Sequence, residues 1–202
     1  MKQQVVVIHG GTSFDTQEQY LDYLRTKPVS LEYFLPRADW KSSLPEKLGP
    51  DFQVLAPRLP NQANAQYVEW KIWFERLVQF LQDGVILIGH SLGGIFLAKY
   101  LSENEFPKAI KATILVAPPH DDEDGSEPLG TFRLTGDLKR LQQQAGRLSF
   151  YFSNDDLVVT PYNMEKYKQA LPEAKFHIFE DRQHFSQPEF SELVEEIKNI
   201  AI

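Results

Sequence analysis

The chain has 202 residues, of which 42% are hydrophobic and 24% charged, a composition that excludes disordered and fibrous classes. Its formal charge of −7 repels polyanions, so nucleic acid is not an expected partner. With no cysteine there is no disulfide, no thiolate metal site and no cysteine nucleophile, which fits a reducing compartment and leaves oxygen and nitrogen nucleophiles.

This length falls within the range of one domain, so a single domain over 1–202 with a full core is expected. No window reaches the roughly 18 consecutive apolar residues of a membrane helix. The most apolar stretch, 85–100, is interrupted by His90, Ser91 and Lys99. Near the amino terminus only 5–8 form an apolar run, and His9, Gly10 and Gly11 end it short of a signal-peptide core. A cytoplasmic protein with no membrane partner is the expectation.

In chain order, the first strand is read at 5–8 and closes on the glycine-rich turn His9-Gly10-Gly11-Thr12. A stretch at 27–50 with Pro28, Pro36, Pro45 and Pro50 departs from regular structure, and a second strand follows at 53–56. Tyr67, Trp70, Phe74, Leu77 and Leu81 step by three and four, an apolar stripe on a helix from about 64 to 82. Further strands are read at 85–88, 112–116, 148–152 and 176–179. Between the last of these, Thr160-Pro161 marks a helix start, and Ser186 with Glu189 reads as a capping box opening the final helix. An acidic excursion at 118–136 carries Gly125, Pro128 and Gly130. Most of the strands are apolar continuously, as a parallel sheet covered on both faces requires. Strand and helix alternate, which predicts an α/β fold with a doubly wound, mainly parallel sheet.

Gly89-His90-Ser91-Leu92-Gly93 follows the strand 85–88 and precedes a helical pattern. This is G-x-S-x-G in the strand-to-helix context that exposes a serine nucleophile on a tight turn. A serine hydroxyl needs a base, and His184, five residues beyond the strand ending at Phe179, stands at the right end of a later strand. Among the other histidines, His177 lies inside a strand as a filler. His90 points away from Ser91 in a structural role, and His120 sits in a solvated loop. The base needs a carboxylate, and Asp155 and Asp156 both follow the strand 148–152. The glycine turn supplies the remaining part, because the backbone N–H groups of Gly11 and Leu92 can form an oxyanion hole.

Several stretches together resemble the small serine hydrolases of the α/β-hydrolase superfamily, the group of the retinoblastoma-binding hydrolase and YdeN-type bacterial proteins. They are His9-Gly10, the segment 57–60, Trp70 with Trp73, Gly89 to Gly93, Ser153-Asn154-Asp155-Asp156 with Val159, and His184-Phe185. In that group the acid is the last aspartate of an S-x-x-D-x-x-V pattern, which implies Asp156 and the order Ser91, Asp156, His184. The resemblance also implies six strands, no large cap domain and esterase-like hydrolysis without a cofactor or metal. The first helix of the group, here 40–48, follows the glycine turn after a few residues, whereas in this chain 13–39 intervenes. The L-x-C-x-E motif of retinoblastoma binding cannot exist without cysteine.

Calcium binding at the acidic loop fails in register: Asp122, Asp124 and Gly125 fit, but His120 and Thr131 occupy the positions of the first carboxylate and the bidentate glutamate. A dinucleotide reading of Gly10 and Gly11 lacks its third glycine. The expected function is serine hydrolysis of carboxylic esters or related small acyl compounds through an acyl-enzyme. The alternative is a non-catalytic protein-binding module on the same scaffold. The segment 13–39 contains Phe14, Tyr20, Tyr23, Tyr33 and Phe34, and is expected to fold over the pocket mouth as a small lid that sets acyl selectivity.

Overall fold

The computed structural model describes residues 1–36, 38–123 and 127–201. Six strands, β1 (Gln3–Ile8), β2 (Phe52–Leu55), β3 (Val85–His90), β4 (Ile110–Val116), β5 (Arg147–Ser153) and β6 (Lys175–Phe179), form one sheet in the order β2-β1-β3-β4-β5-β6. Every neighbouring pair is parallel. The helices are α1 (Gln17–Thr26), α2 (Trp40–Leu48), α3 (Tyr67–Val78), α4 (Leu92–Glu103), α5 (Lys139–Gln144), α6 (Pro161–Ala170) and α7 (Ser191–Ala201).

Because successive strand residues point to opposite faces, the strands themselves sort the helices into two layers. In β5, Tyr151 reaches Glu196 of α7, while Phe150 and Phe152 pack on Tyr167 of α6. In β3, His90 meets Trp40 of α2, while Gly89 lies against the first turn of α4. The rings of Trp70 and Phe74 bind α3 to Phe96 of α4, and Gln144 of α5 donates to the Leu101 carbonyl of α4. Thus α2 and α7 cover one face and α3 to α6 the other. Val85 to Ile88 in the middle of the sheet are fully buried, which is why they read as an unbroken apolar run. This is the α/β-hydrolase fold, with no large cap among the described residues.

The second strand keeps its length but starts one residue earlier than read, and the others are longer than their apolar runs because hydrogen-bonded pairing continues beyond them. Gln3 and Gln4 pair with Phe52 and Gln53, and the Gln4 side chain bonds that of Gln53. Helix α3 is shorter than its stripe suggests. Residues 62–64 form a 3₁₀ turn, and Leu81 reaches the core from the turn after the helix, its N–H donating to Val78 O.

The capping box read at Ser186 and Glu189 does not form, and α7 starts at Ser191. A helix beginning near 187 would need the Gln187 carbonyl, which instead accepts from Trp40 N–H of α2 at 3.0 Å. Glu189 pairs with Lys47 at 3.0 Å. A true capping box stands at Thr16 and Gln19, opening α1 inside 13–39, the segment expected to form a lid. That helix buries no residue completely: Tyr20 and Tyr23 turn toward Phe14, while Leu21 and Leu24 stay exposed.

Candidate active site

The turn after β3 is built around close backbone contacts. A Cβ on Gly89 would come within 2.7 Å of Gly94 Cα, and one on Gly93 within 2.5 Å of the Ile8 and His9 carbonyl oxygens. Only glycine allows α4 to start so close to β1 and β3. Between them Ser91 adopts φ 55° and ψ −124°, a left-handed conformation costly for a residue with a Cβ. Its N–H is anchored to Val116 O at 2.8 Å, and the Gly94 N–H bonds Ser91 O at 2.8 Å. These bonds hold the strain and lift the hydroxyl above the strand ends.

His184 sits on the loop after β6 with Nε2 at 2.9 Å from Ser91 Oγ and Nδ1 at 2.8 Å from Asp156 Oδ2. Since a carboxylate only accepts, Nδ1 carries the proton and Nε2 accepts from the serine hydroxyl. Asp156 is 2% exposed, and its other oxygen accepts from the N–H groups of Val158 and Val159 at 2.8 and 2.9 Å. Those two bonds fix the carboxylate plane and aim Oδ2 at the imidazole. The structure therefore brings Ser91, His184 and Asp156 into one hydrogen-bonded line.

Asp155 turns elsewhere. Its Oδ1 accepts from Ser153 Oγ at 2.6 Å and from Gln183 N–H at 2.8 Å, and the Ser153 hydroxyl leads in holding this carboxyl below the usual range. Ser153 Oγ in turn accepts from Arg182 N–H. The two aspartates divide the work: one meets the ring of His184, the other ties down the backbone before it. Gln183 and Phe185 on either side both have positive φ, 48° and 51°, and the Phe185 ring is buried against Phe179 and Phe190. Trp40 Nε1 donates to the Phe185 carbonyl at 2.9 Å.

His90 is structural, as expected, but its partner is the loop of His184. His90 Nε2 donates to the His184 carbonyl at 2.9 Å, and Nδ1 accepts from Lys41 Nζ at 3.4 Å. Burial, then Lys41 and His184, hold the His90 pKa well below its ordinary value, so the ring is neutral. Lys41 is pushed down by its own burial, against the opposing pull of Asp39 at 2.6 Å. His9 is a second histidine whose part the sequence did not disclose. Its Nδ1 donates to Gly10 O at 2.7 Å and its Nε2 accepts from Leu59 N–H at 2.9 Å, pinning the glycine turn to the segment after β2. Gln62 completes that clamp, with its side chain on Gly10 O and its carbonyl on Thr12 N–H. No local pattern announces the bonds from His9 to Leu59 and from Gln62 to Gly10 and Thr12, because each joins residues about 50 positions apart.

Gly11, Ser91 and Leu92 line one small cavity together with Pro119, Leu129 and Val159. The remaining histidines stay away from it. His177 stacks on Tyr151 with ring centroids 4.3 Å apart, and His120 is half-buried on Tyr167 rather than solvated. In the acidic excursion Asp121 pairs with Lys166 and Asp122 with Arg133, while Asp124 and Gly125 of the calcium register lie outside the described residues. No helix among the described residues is long and apolar enough to cross a membrane. In the segment 13–39 Phe14 is buried, Tyr20 and Tyr23 are half-buried against it, and Tyr33 and Phe34 are exposed.

A fold of this topology with a serine on a strained strand-to-helix turn, hydrogen-bonded to a histidine beyond the last strand, defines a hydrolase class. Residues 5–157 match the alpha/beta hydrolase family, and the chain belongs to it. Among individual relatives, the serine hydrolase RBBP9 of Rattus norvegicus is 26% identical over 153 residues, 75% of this chain and 79% of that protein. The crystal structure of the ydeN gene product of B. subtilis superposes with a TM-score of 0.79 at 18% identity, covering 99% of both chains. A yden-like hydrolase of Pectobacterium atrosepticum gives a TM-score of 0.61 at 13% identity, covering 98% of this chain and 91% of that one. At such identities the two structures speak for the fold.

Proposed function

We propose that this hydrolase cleaves carboxylic esters or related small acyl compounds by a two-step acyl-enzyme route, with Ser91 as nucleophile, His184 as general base and acid, and Asp156 as the carboxylate that orients His184. The observation that carries the reading is the continuous hydrogen-bonded line from Asp156 Oδ2 through His184 to Ser91 Oγ, at 2.8 and 2.9 Å. As Ser91 Oγ attacks the substrate carbonyl carbon, its proton passes to His184 Nε2. The imidazolium is stabilised by buried Asp156. The carbonyl oxygen becomes an oxyanion facing the N–H groups of Gly11 and Leu92. Leu92 opens α4, so its N–H has no partner within the helix, and the helix amino terminus favours the new negative charge. One such donor is worth about 3 kcal/mol in the transition state. Collapse breaks the ester C–O bond, and His184 returns the proton to the leaving alcohol. A water, deprotonated by His184, then attacks the acyl carbon, and Ser91 regains its proton.

The test is labelling with a fluorophosphonate probe read by intact mass, alongside turnover of p-nitrophenyl acetate. A single adduct on the wild-type chain, absent in Ser91→Ala, is expected, with kcat lowered in that variant by on the order of 10⁶. A folded wild-type chain that takes no adduct and turns over no ester favours the protein-binding module instead.

A further inference from the structure

Arg133 stands near the end of the excursion at 118–136 and has a fixed root. The Phe132 ring before it is fully buried, and the Arg133 carbonyl accepts from Lys99 Nζ of α4 at 2.8 Å. From there its guanidinium reaches three stretches of chain. Nε donates to the two Asp122 oxygens at 2.8 and 3.0 Å, and Nη2 to Asp122 Oδ2 at 2.5 Å. Nη1 and Nη2 fork onto Asp15 at 2.7 and 3.1 Å, and Nη1 also donates to Gly130 O at 3.0 Å. A guanidinium has one N–H on Nε and two on each Nη, and every one of them is taken. We propose that Arg133 is a positioning residue for substrate binding, which holds 127–130 in place as a wall facing Ser91. This rests on the reading of Ser91 as the nucleophile.

Two of these partners act on the wall directly. Gly130 O is bonded to the guanidinium itself. Asp122 Oδ2, fixed by the guanidinium, also accepts from Leu129 N–H at 3.3 Å. Glu127, Pro128 and Leu129 line one space with Gly11, Ser91 and Leu92, so an ester seated on Ser91 meets them. The Asp15 fork ties the same wall to the chain leaving the glycine turn. Gly130, at φ 48°, lies so close to that chain that a Cβ would collide with the Ser13 hydroxyl oxygen. A lone exposed ion pair contributes little, and the Arg133 and Asp15 side chains are 38% and 43% exposed. A planar fork shared between two carboxylates is the geometry in which such pairs do hold. The reacting groups are supported from elsewhere: Ser91 N–H by Val116 O, Asp156 by the N–H groups of Val158 and Val159, and the glycine turn by His9 and Gln62. Loss of the Arg133 side chain should therefore weaken binding and spare the chemical step.

The experiment is kcat and KM for p-nitrophenyl acetate, expressed per site titrated by the fluorophosphonate probe. Arg133→Ala should raise KM about tenfold and change kcat by less than about threefold, the pattern of a lost binding contact. Guanidinium chloride added to that variant, well below denaturing concentrations, should bring KM back toward the wild-type value, whereas sodium chloride at equal concentration should not. Asp122→Ala, which also frees Leu129 N–H, should raise KM to a similar extent. The double variant should barely exceed either single one, since both act through one network. Arg133→Lys, which keeps the charge and not the fork, guards against a failure to fold and should still raise KM several-fold. An unchanged KM in these variants, a fall in kcat at constant KM, or single effects that simply multiply overturns the proposal while leaving Ser91 as nucleophile. Added guanidinium that restores the melting temperature and not KM overturns it equally. A wild-type chain that neither labels nor turns over ester removes the hydrolase reading beneath it.

Discussion

His90 donates from Nε2 to the backbone carbonyl of His184 at 2.9 Å, so the residue immediately before Ser91 carries the loop that presents the imidazole to Ser91. The two ring centroids lie 5.0 Å apart. Lys41 Nζ occupies the other nitrogen of His90, and Asp39 holds Lys41, which links the start of α2 to the same loop.

Replacing His90 therefore acts on catalysis through His184. His90→Leu removes the donor to the His184 carbonyl and the acceptor for Lys41, and should lower kcat by about 10- to 100-fold, since a misplacement of about 1 Å can cost that much. KM should change little, and His90→Gln, whose amide can still donate, should recover part of the loss. Rates are to be expressed per site titrated by the fluorophosphonate probe. An effect confined to the yield of folded protein, with kcat per titrated site unchanged, would give His90 a packing role only.

Stability should fall on the acid side of neutrality. His90 has its folded pKa lowered well below the unfolded value by burial, Lys41 and His184, and His9 is lowered chiefly by burial. The unfolded chain thus binds protons that the folded chain refuses. Stability is full above the ordinary histidine value of about 6.5 and is lost as the pH drops from there toward the folded values. Carboxylates held low in the fold, such as Asp122 beside Arg133, lose their contribution only below about pH 5. Urea midpoints between about pH 7.5 and 5 should therefore decline in the wild type and more gently in His90→Gln. Parallel slopes would mean that His90 protonates as readily folded as unfolded.

Asp156 and Asp155 separate by kinetics. Asp156→Asn puts an amide where Nδ1–H needs an acceptor and should cost on the order of 10⁴ in kcat by favouring the wrong tautomer. Asp155→Asn keeps an oxygen for Gln183 N–H and Ser153 Oγ, so its loss should stay within about tenfold. The reverse ranking, from single-turnover rates at saturating ester, would assign the imidazole partner wrongly.

What could be read in the chain was what short-range geometry demands. Gly89 and Gly93 announce the turn because no other residue fits there, and the apolar runs announce the sheet because both faces are covered. Two adjacent aspartates after β5 could not be told apart by spacing, since the turn at Asn154 to Asp156 sends neighbouring side chains in opposite directions. The supports of the site escaped notice for a different reason. His9 bonds across to Leu59, His90 to His184, and Trp40 to Phe185, contacts that only the tertiary fold creates. At Ser186 a good local signal lost to a distant one, because α2 claims the Gln187 carbonyl that the first turn of a helix starting there needs.

The segment 13–39 is anchored at its start and again at Asp39, which caps α2 and pairs with Lys41. Ser13 Oγ donates to Ala65 O, Phe14 is buried, and Asp15 makes two bonds to Arg133 at 2.7 and 3.1 Å. Further on, Leu24, Leu31, Phe34 and Leu35 are all more than half exposed. Arg133 also donates to Gly130 O, the residue after Leu129 of the cavity beside Ser91, so the start of the segment stands near the mouth. None of its described residues is among those lining that cavity. We propose that the segment forms part of the single hydrolase domain and covers the leaving-group side of the site, where its apolar residues meet the alcohol part of the ester and limit water. Replacing 17–35 with a short Gly/Ser linker keeps the anchors at Phe14 and Asp15. It should raise KM about tenfold for acetate esters of large aromatic alcohols, change it little for ethyl acetate, and leave the ratio of acetate to butyrate turnover unchanged. A shift in the acyl preference would put the segment on the acyl side. A folded variant with neither KM changed would make it cover for the sheet edge.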